Sequence, residues 1–275
     1  MKDRIILSLA LSSLFAASAA IVAAQDAGPH APPKVLVIQR EYLKPGKAGA
    51  IHAKSEANFI KASNDAKAPT HYIAMDSMSG PSRVLFLFGY DSFEAWGKDQ
   101  QAQNANAKYS AALDAAWLAD GELLTRYDSQ AFSYHPEMSL HDSLDIPHQR
   151  YWEFTSFHIK PGHEEEWNAL VKIYVDGFSK NADAHWAVYE SRWGENNGGA
   201  WVVINPMRTL AEVDKGLADS KAFFAAQGEA TMKRAGELAA ACIESVQTNA
   251  FVVNAKESYI DPEWVKAAPE VYGQP

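Results

Sequence analysis

Cysteine is almost missing: among 275 residues there is one, Cys242. A lone thiol excludes an internal disulfide and any multi-cysteine metal site. Basic clusters are missing too. Lysine and arginine total 25 against 34 aspartates and glutamates, a formal net charge of −9, so no nucleic acid is expected as a partner. The chain has no P-loop, no dinucleotide fingerprint and no nucleophile elbow. With 47% hydrophobic and 11% aromatic residues, the composition is that of a folded globular chain and excludes long disorder, a collagen-like repeat or a polytopic membrane protein.

The N-terminus carries a targeting pattern. Lys2 and Arg4 precede an apolar run at 5–20, and Val22-Ala23-Ala24 supplies small residues for cleavage. Residues 1–24 are therefore read as a secretory signal peptide. Residues 25–33 follow as a flexible lead-in, rich in Pro, Ala and Gly. The expected location is exported, periplasmic or secreted, with no stable membrane insertion after cleavage.

The remaining chain repeats itself once. Lys44-Pro45-Gly46 recurs as Lys160-Pro161-Gly162, and the segment opening at His71-Tyr72 recurs at His185-Trp186. The strand of residues 84–88 matches 201–205, and Ser129-Gln130-Ala131-Phe132 matches Thr248-Asn249-Ala250-Phe251. Each half reads as strand, helix, strand, strand, helix, strand. In the second half, residues 151–159 are aromatic and β-branched, and Pro161-Gly162 ends that strand. Trp167, Leu170, Val171, Tyr174, Val175 and Phe178 then mark one face of an amphipathic helix. Strands are expected at 186–193 and 200–205, joined across Glu195–Gly199 as a hairpin. A helix at 209–241, interrupted near Gly228, and a strand at 243–253 close the repeat. The first half holds one long helical stretch at 92–118.

This βαββαβ order is the ferredoxin-like split motif, and the fold class is α+β. The expected organisation is a first repeat at 34–134, a linker at 135–149, a second repeat at 150–255 and a C-terminal tail at 256–275. Two such antiparallel sheets in one chain can close on each other as a pseudo-dimeric α/β barrel.

The pattern Tyr151-x-Glu153-Phe154-x-x-Phe157-x-Ile159-Lys160-Pro161-Gly162-x-x-x-Glu166-Trp167 resembles the opening of NIPSNAP-like domains in the dimeric α/β-barrel superfamily. The first half departs from it, with Gly49-Ala50 after its Lys-Pro-Gly instead of Glu-Trp. The resemblance implies the fold. It does not choose an activity, because the superfamily spans cofactor-free monooxygenases, haem enzymes and proteins of unknown role.

Strand alternation nominates the site. Asp128, Gln130 and Phe132, with Gln247, Asn249 and Phe251 in the second half, share the face turned away from the helices and would line an enclosed ligand pocket. Gln130 and Asn249 have a second reading, bonding to each other or to backbone across the pseudo-twofold axis. Trp186, Tyr189 and His71 are added as ligand-binding candidates, on the strength of stacking surface and of a histidine repeated in both halves. His158, His185 and Glu190 are the candidate bases. His135, His141 and His148 share the linker with acidic residues, but their spacing matches no compact ligand motif, so no metal is expected. The resulting expectation is a barrel that binds a small apolar or aromatic ligand, with cofactor-independent oxygenase or isomerase chemistry on an aromatic or enol compound. The alternatives are a haem-binding barrel enzyme and a non-catalytic interaction or assembly module, for which oligomerisation is compatible.

Overall fold

The computed structural model describes residues 30–195 and 199–273. The segment read as a signal peptide, most of that read as a lead-in, and the centre of the Glu195–Gly199 turn lie outside the described residues. Eight strands form one closed antiparallel barrel: β1 (Val35–Leu43), β2 (Tyr72–Ser77), β3 (Arg83–Tyr90), β4 (Leu124–Tyr134), β5 (Tyr151–Ile159), β6 (Ala187–Trp193), β7 (Ala200–Met207) and β8 (Ile243–Val253). Their order around the barrel is β1-β3-β2-β8-β5-β7-β6-β4. Each half contributes four neighbouring strands. The halves meet along two short seams, β2 with β8 through Met75–Val253, Asp76–Val252 and Ser77–Phe251, and β4 with β6.

The helices lie outside the barrel: α1 (Ala50–Ala66), α2 (Phe93–Ala105) and α3 (Ala107–Asp120) over the first half, α4 (Glu164–Phe178) and α5 (Ala211–Cys242) over the second. Two residues shape them. Gly228, at φ 78 and ψ 159, breaks α5 where the sequence places an interruption. The stretch read as one helix over 92–118 is instead two, because Asn106 leaves helical geometry and its side-chain oxygen accepts from the Tyr109 amide at 3.1 Å as an N-cap.

Alternation along β1 sorts the two layers. Leu36 and Ile38 join the apolar core of the barrel with Met75, Leu85, Phe132, Phe154 and Phe251. Val35 and Val37 turn outward with Ala131 and Tyr90 toward the helices. The linker docks on the start of β6, where the Trp186 indole donates to the Met138 carbonyl at 2.9 Å. Residues 256–273 turn back on the barrel. Tyr259 bridges to Tyr72 at the edge of β2, and Ala268, Val271 and Tyr272, carried by α6 (Pro262–Ala267) and α7 (Pro269–Tyr272), join the barrel core. Among the described residues, no helix is long and apolar enough to cross a membrane.

Candidate functional site

The two helix-sheet layers differ. In the second half Trp167, Leu170, Trp201, Leu238 and Cys242 pack the space between sheet and helices as one apolar cluster. In the first half the corresponding space is a cavity of about 430 Å³. Its walls are Val37, Phe86 and Phe88 from the sheet, Phe59 and Ser63 from α1, and Tyr109, Leu113 and Trp117 from α3. Glu41 and Glu56 supply a polar end.

Behind those carboxylates lies a buried charged cluster. Glu41 faces the helices because it alternates with the outward-facing Val37 on β1. His52 and Glu56 sit one turn apart on α1, on the stripe that continues through Phe59 and Ser63. Asp120 is the last residue of α3, and Glu257 follows β8. All five are at most 2% exposed. The His52 Nε2 lies 2.9 Å from Glu41 Oε2, 3.8 Å from Glu56 Oε1 and 3.7 Å from Asp120 Oδ1. On its other side Nδ1 lies 3.0 Å from Glu257 Oε2. Four atoms that could ligate one ion, from Glu41, His52, Glu56 and Asp120, fall within 4.8 Å of one another. Both oxygens of Asp120, Oε1 of Glu56 and Oε1 of Glu257 have no hydrogen-bond partner.

Such crowding moves protons. Burial alone would lower the His52 imidazole, but its hydrogen bonds to Glu257 and Glu41 and the nearby carboxylates outweigh that and hold it up to about 11. Burial, with the charges of Glu41, Asp120 and Glu257 against that of His52, pushes Glu56 up to about 10. Burial also raises Glu41, opposed by its bond to His52. The buried cluster therefore favours the protonated form of Glu56 in the absence of a metal ion.

Of the residues nominated by strand alternation, Asp128, Gln130, Phe132, Gln247, Asn249 and Phe251 all line the barrel lumen, together with His158. The amides do not meet each other there. Gln130 accepts from Arg40 at 2.7 Å and donates to Ser191 at 2.8 Å, and Asn249 accepts from Arg83 at 2.6 Å. Asp128 pairs with Arg40 at 2.6 Å. Trp186, Tyr189 and His71 border a different cavity at the opposite end of the barrel, where His71 stacks on Tyr259 at 4.6 Å.

The three candidate bases are not brought together. His158 pairs in register with Ala200 at one end of β7, and His185 lies 2.7 Å from the Pro206 carbonyl at the other, some six strand residues or about 20 Å away. Glu190 is held by Arg192 at 2.8 Å and His135 at 3.2 Å.

Sequence reasoning missed the buried cluster. One local signal was present: a histidine and a glutamate at i and i+4 on the apolar stripe of α1. Another was a glutamate on the otherwise outward-apolar positions of β1. Asp120 and Glu257 arrive from distant segments and carry no local signal.

No protein-family model matches the sequence, and no curated protein is detectably similar to it. Solved structures are similar in shape. A proposed monooxygenase from Fusobacterium nucleatum superposes with a TM-score of 0.51 at 12% identity, covering 82% of this chain and 93% of its own. A mutant chlorite dismutase from Candidatus Nitrospira defluvii gives 0.50 at 10% identity, covering 86% and 96%. A haem-binding protein from Thermus thermophilus is more distant, at 0.44 and 10% identity over 83% and 94%. Together with the closed eight-stranded barrel flanked by helices, the first two likenesses identify the fold: a dimeric α/β-barrel fold, with both halves supplied by one polypeptide.

Proposed function

We propose that this chain is an exported protein that binds a small, largely apolar or aromatic molecule in the cavity between the sheet and the helices of its first half. The carrying observation is the asymmetry of the duplication. The register shifts that end β1 and β5 fall between Tyr42 and Leu43 and between His158 and Ile159, so Glu41 and Phe157 are equivalent positions. Phe157 packs against Trp167 at 5.1 Å in a filled layer, whereas Glu41 stands at the polar end of an open one. An apolar cavity with a few convergent polar groups of shifted acidity is the form ligand sites take.

The reaction class we assign is oxygenation by dioxygen or proton transfer on an aromatic or enol ligand, at the polar end of the cavity that Glu41 and Glu56 form. A proposed monooxygenase shares the fold, which supports this choice by analogy only. Haem does not fit this cavity. Its described lining includes no histidine to serve as an axial ligand.

Trp117 in the cavity wall gives a reporter. The neutral probe N-phenyl-1-naphthylamine is expected to bind with a Kd in the micromolar range and to quench tryptophan emission. Val37→Phe, which fills the cavity from β1, should weaken binding at least tenfold. Asn249→Ala, in the lumen, should leave it unchanged. Equal binding by wild type and Val37→Phe would sink the assignment.

A further inference from the structure

We propose that His52 Nε2 and the carboxylates of Glu41, Glu56 and Asp120 bind one divalent first-row transition-metal ion, Mn²⁺, Fe²⁺ or Zn²⁺, with Glu257 as the positioning residue for the imidazole. The geometry comes first. Metal–ligand bonds of about 2.1 Å put neighbouring octahedral ligands about 3.0 Å apart and opposite ones about 4.2 Å apart. The three carboxylate oxygens lie 2.9, 3.7 and 3.8 Å from Nε2, close to that range, and all four donor atoms fall within 4.8 Å of one another.

The second support is what the protein leaves unpaired. Asp120 is wholly buried, and both of its carboxylate oxygens lack a partner, as does Glu56 Oε1. A buried, unpaired carboxylate is costly. Two such groups, with Glu41 hydrogen-bonded to the same imidazole, are natural around a dication, whose charge offsets theirs.

The third support is the outer contact. Metal-ligating histidines commonly donate the other ring N–H to a carboxylate, which sets tautomer and orientation. Glu257 lies 3.0 Å from His52 Nδ1, on the side away from the other three carboxylates. One imidazole with hard oxygen ligands suits Mn²⁺, Fe²⁺ or Zn²⁺. Ca²⁺ would call for six to eight oxygens. Because Glu41 and Glu56 also form the cavity wall, an ion here would sit at the cavity's polar end with coordination positions open to a bound molecule. That last link rests on the cavity reading; the ion itself does not.

The test uses the mature chain, stripped with a chelator, dialysed, and titrated separately with Mn²⁺, Zn²⁺ and, anaerobically, Fe²⁺. Calorimetry and elemental mass spectrometry should give one ion per chain for at least one metal. Asp120→Asn and Glu41→Gln should each weaken binding at least tenfold, and Glu263→Gln, paired with Lys266 at the surface, should not. Glu257→Ala is expected to cost about 10- to 100-fold, and Glu257→Gln, which keeps an acceptor for Nδ1, clearly less. A merely structural role would not give that ordering. If Asp120→Asn does not fold, Glu41→Gln and the visible spectrum of the Co²⁺-loaded wild type carry the decision. Val37→Phe should lose the naphthylamine probe and keep the ion, so failure of the cavity reading is told apart from failure of the metal site. No stoichiometric uptake of any of the three ions, or unchanged affinity in both ligand variants, overturns the inference.

Discussion

Replacing Glu56 by Gln separates two ways of neutralising the buried cluster. In the metal-free protein Glu56 is held up to about 10, against an ordinary value of 4.5. Its folded-state pKa is raised, so the folded protein binds the proton more tightly than the unfolded chain does. Stability from this group is full below about 4.5 and falls as pH rises toward about 10. At pH 7 the deficit is about 3 to 4 kcal/mol, from about 1.4 kcal/mol for each of some 2.5 pH units. Gln keeps the shape, cannot ionise, and can donate its amide to the unpaired Asp120. Metal-free Glu56→Gln is therefore expected to be up to about 3 to 4 kcal/mol more stable than wild type at pH 7, or about 6–16 °C in Tm for a chain of this size. At pH 4 the gap should close. His52, also raised, loses stability as pH climbs through about 11 in both proteins, so its contribution largely cancels in the difference. With the ion present the sign reverses, because the variant has lost an anionic ligand. The assay is urea unfolding of chelated and metal-loaded samples across pH 4–9. A metal-free variant less stable than wild type at pH 7, or a gap that ignores pH, would refute the reasoning.

Other perturbations are equally direct. A Cβ on Gly177 would meet Phe223 Cε2 at 2.1 Å, inside the Phe178–Phe223 stack at 4.4 Å, so Gly177→Ala should lower unfolding free energy by about 1–3 kcal/mol. Asn249→Leu would strip the side-chain acceptor that Arg83 bonds at 2.6 Å in the lumen and should cost about 1–3 kcal/mol in chemical denaturation. Cys242 is fully buried and its thiol is pushed up by that burial; its reaction with Ellman's reagent should follow global unfolding rather than precede it. Truncation after Asn254 removes Glu257 and the buried Tyr259, Val271 and Tyr272, and should lower Tm and, if the metal inference holds, ion affinity together.

Regular elements were legible because their signals are local. The β5 and β8 ranges agree with the strands read from aromatic and β-branched runs, and Gly228 marks the break in α5. Period-two alternation placed Gln130, Asn249 and their neighbours on the lumen side of β4 and β8. What alternation cannot supply is partners. Arg40 and Arg83, which hold those amides, come from other strands. The buried cluster was illegible for the same reason at larger scale: His52 and Glu257 are 205 residues apart, and residues 256–275 read as a tail because their short Pro-started helices pack only against a barrel end that the sequence does not display. The helix break at Asn106 was a local signal overlooked, an N-cap residue inside an apolar pattern.

The joining of both halves in one polypeptide has a consequence for how the molecule can diverge. In a symmetric pair of identical chains every substitution is felt twice, so a phenylalanine that closed one chamber would close its twin. Here each half answers to its own stretch of chain. Phe157 and Trp167 make one side a solid buttress, while Glu41 and His52 keep the other side hollow and charged. The instability of carrying buried carboxylates is thus confined to one half, and the packed half, tethered along both seams, holds the barrel closed at any dilution.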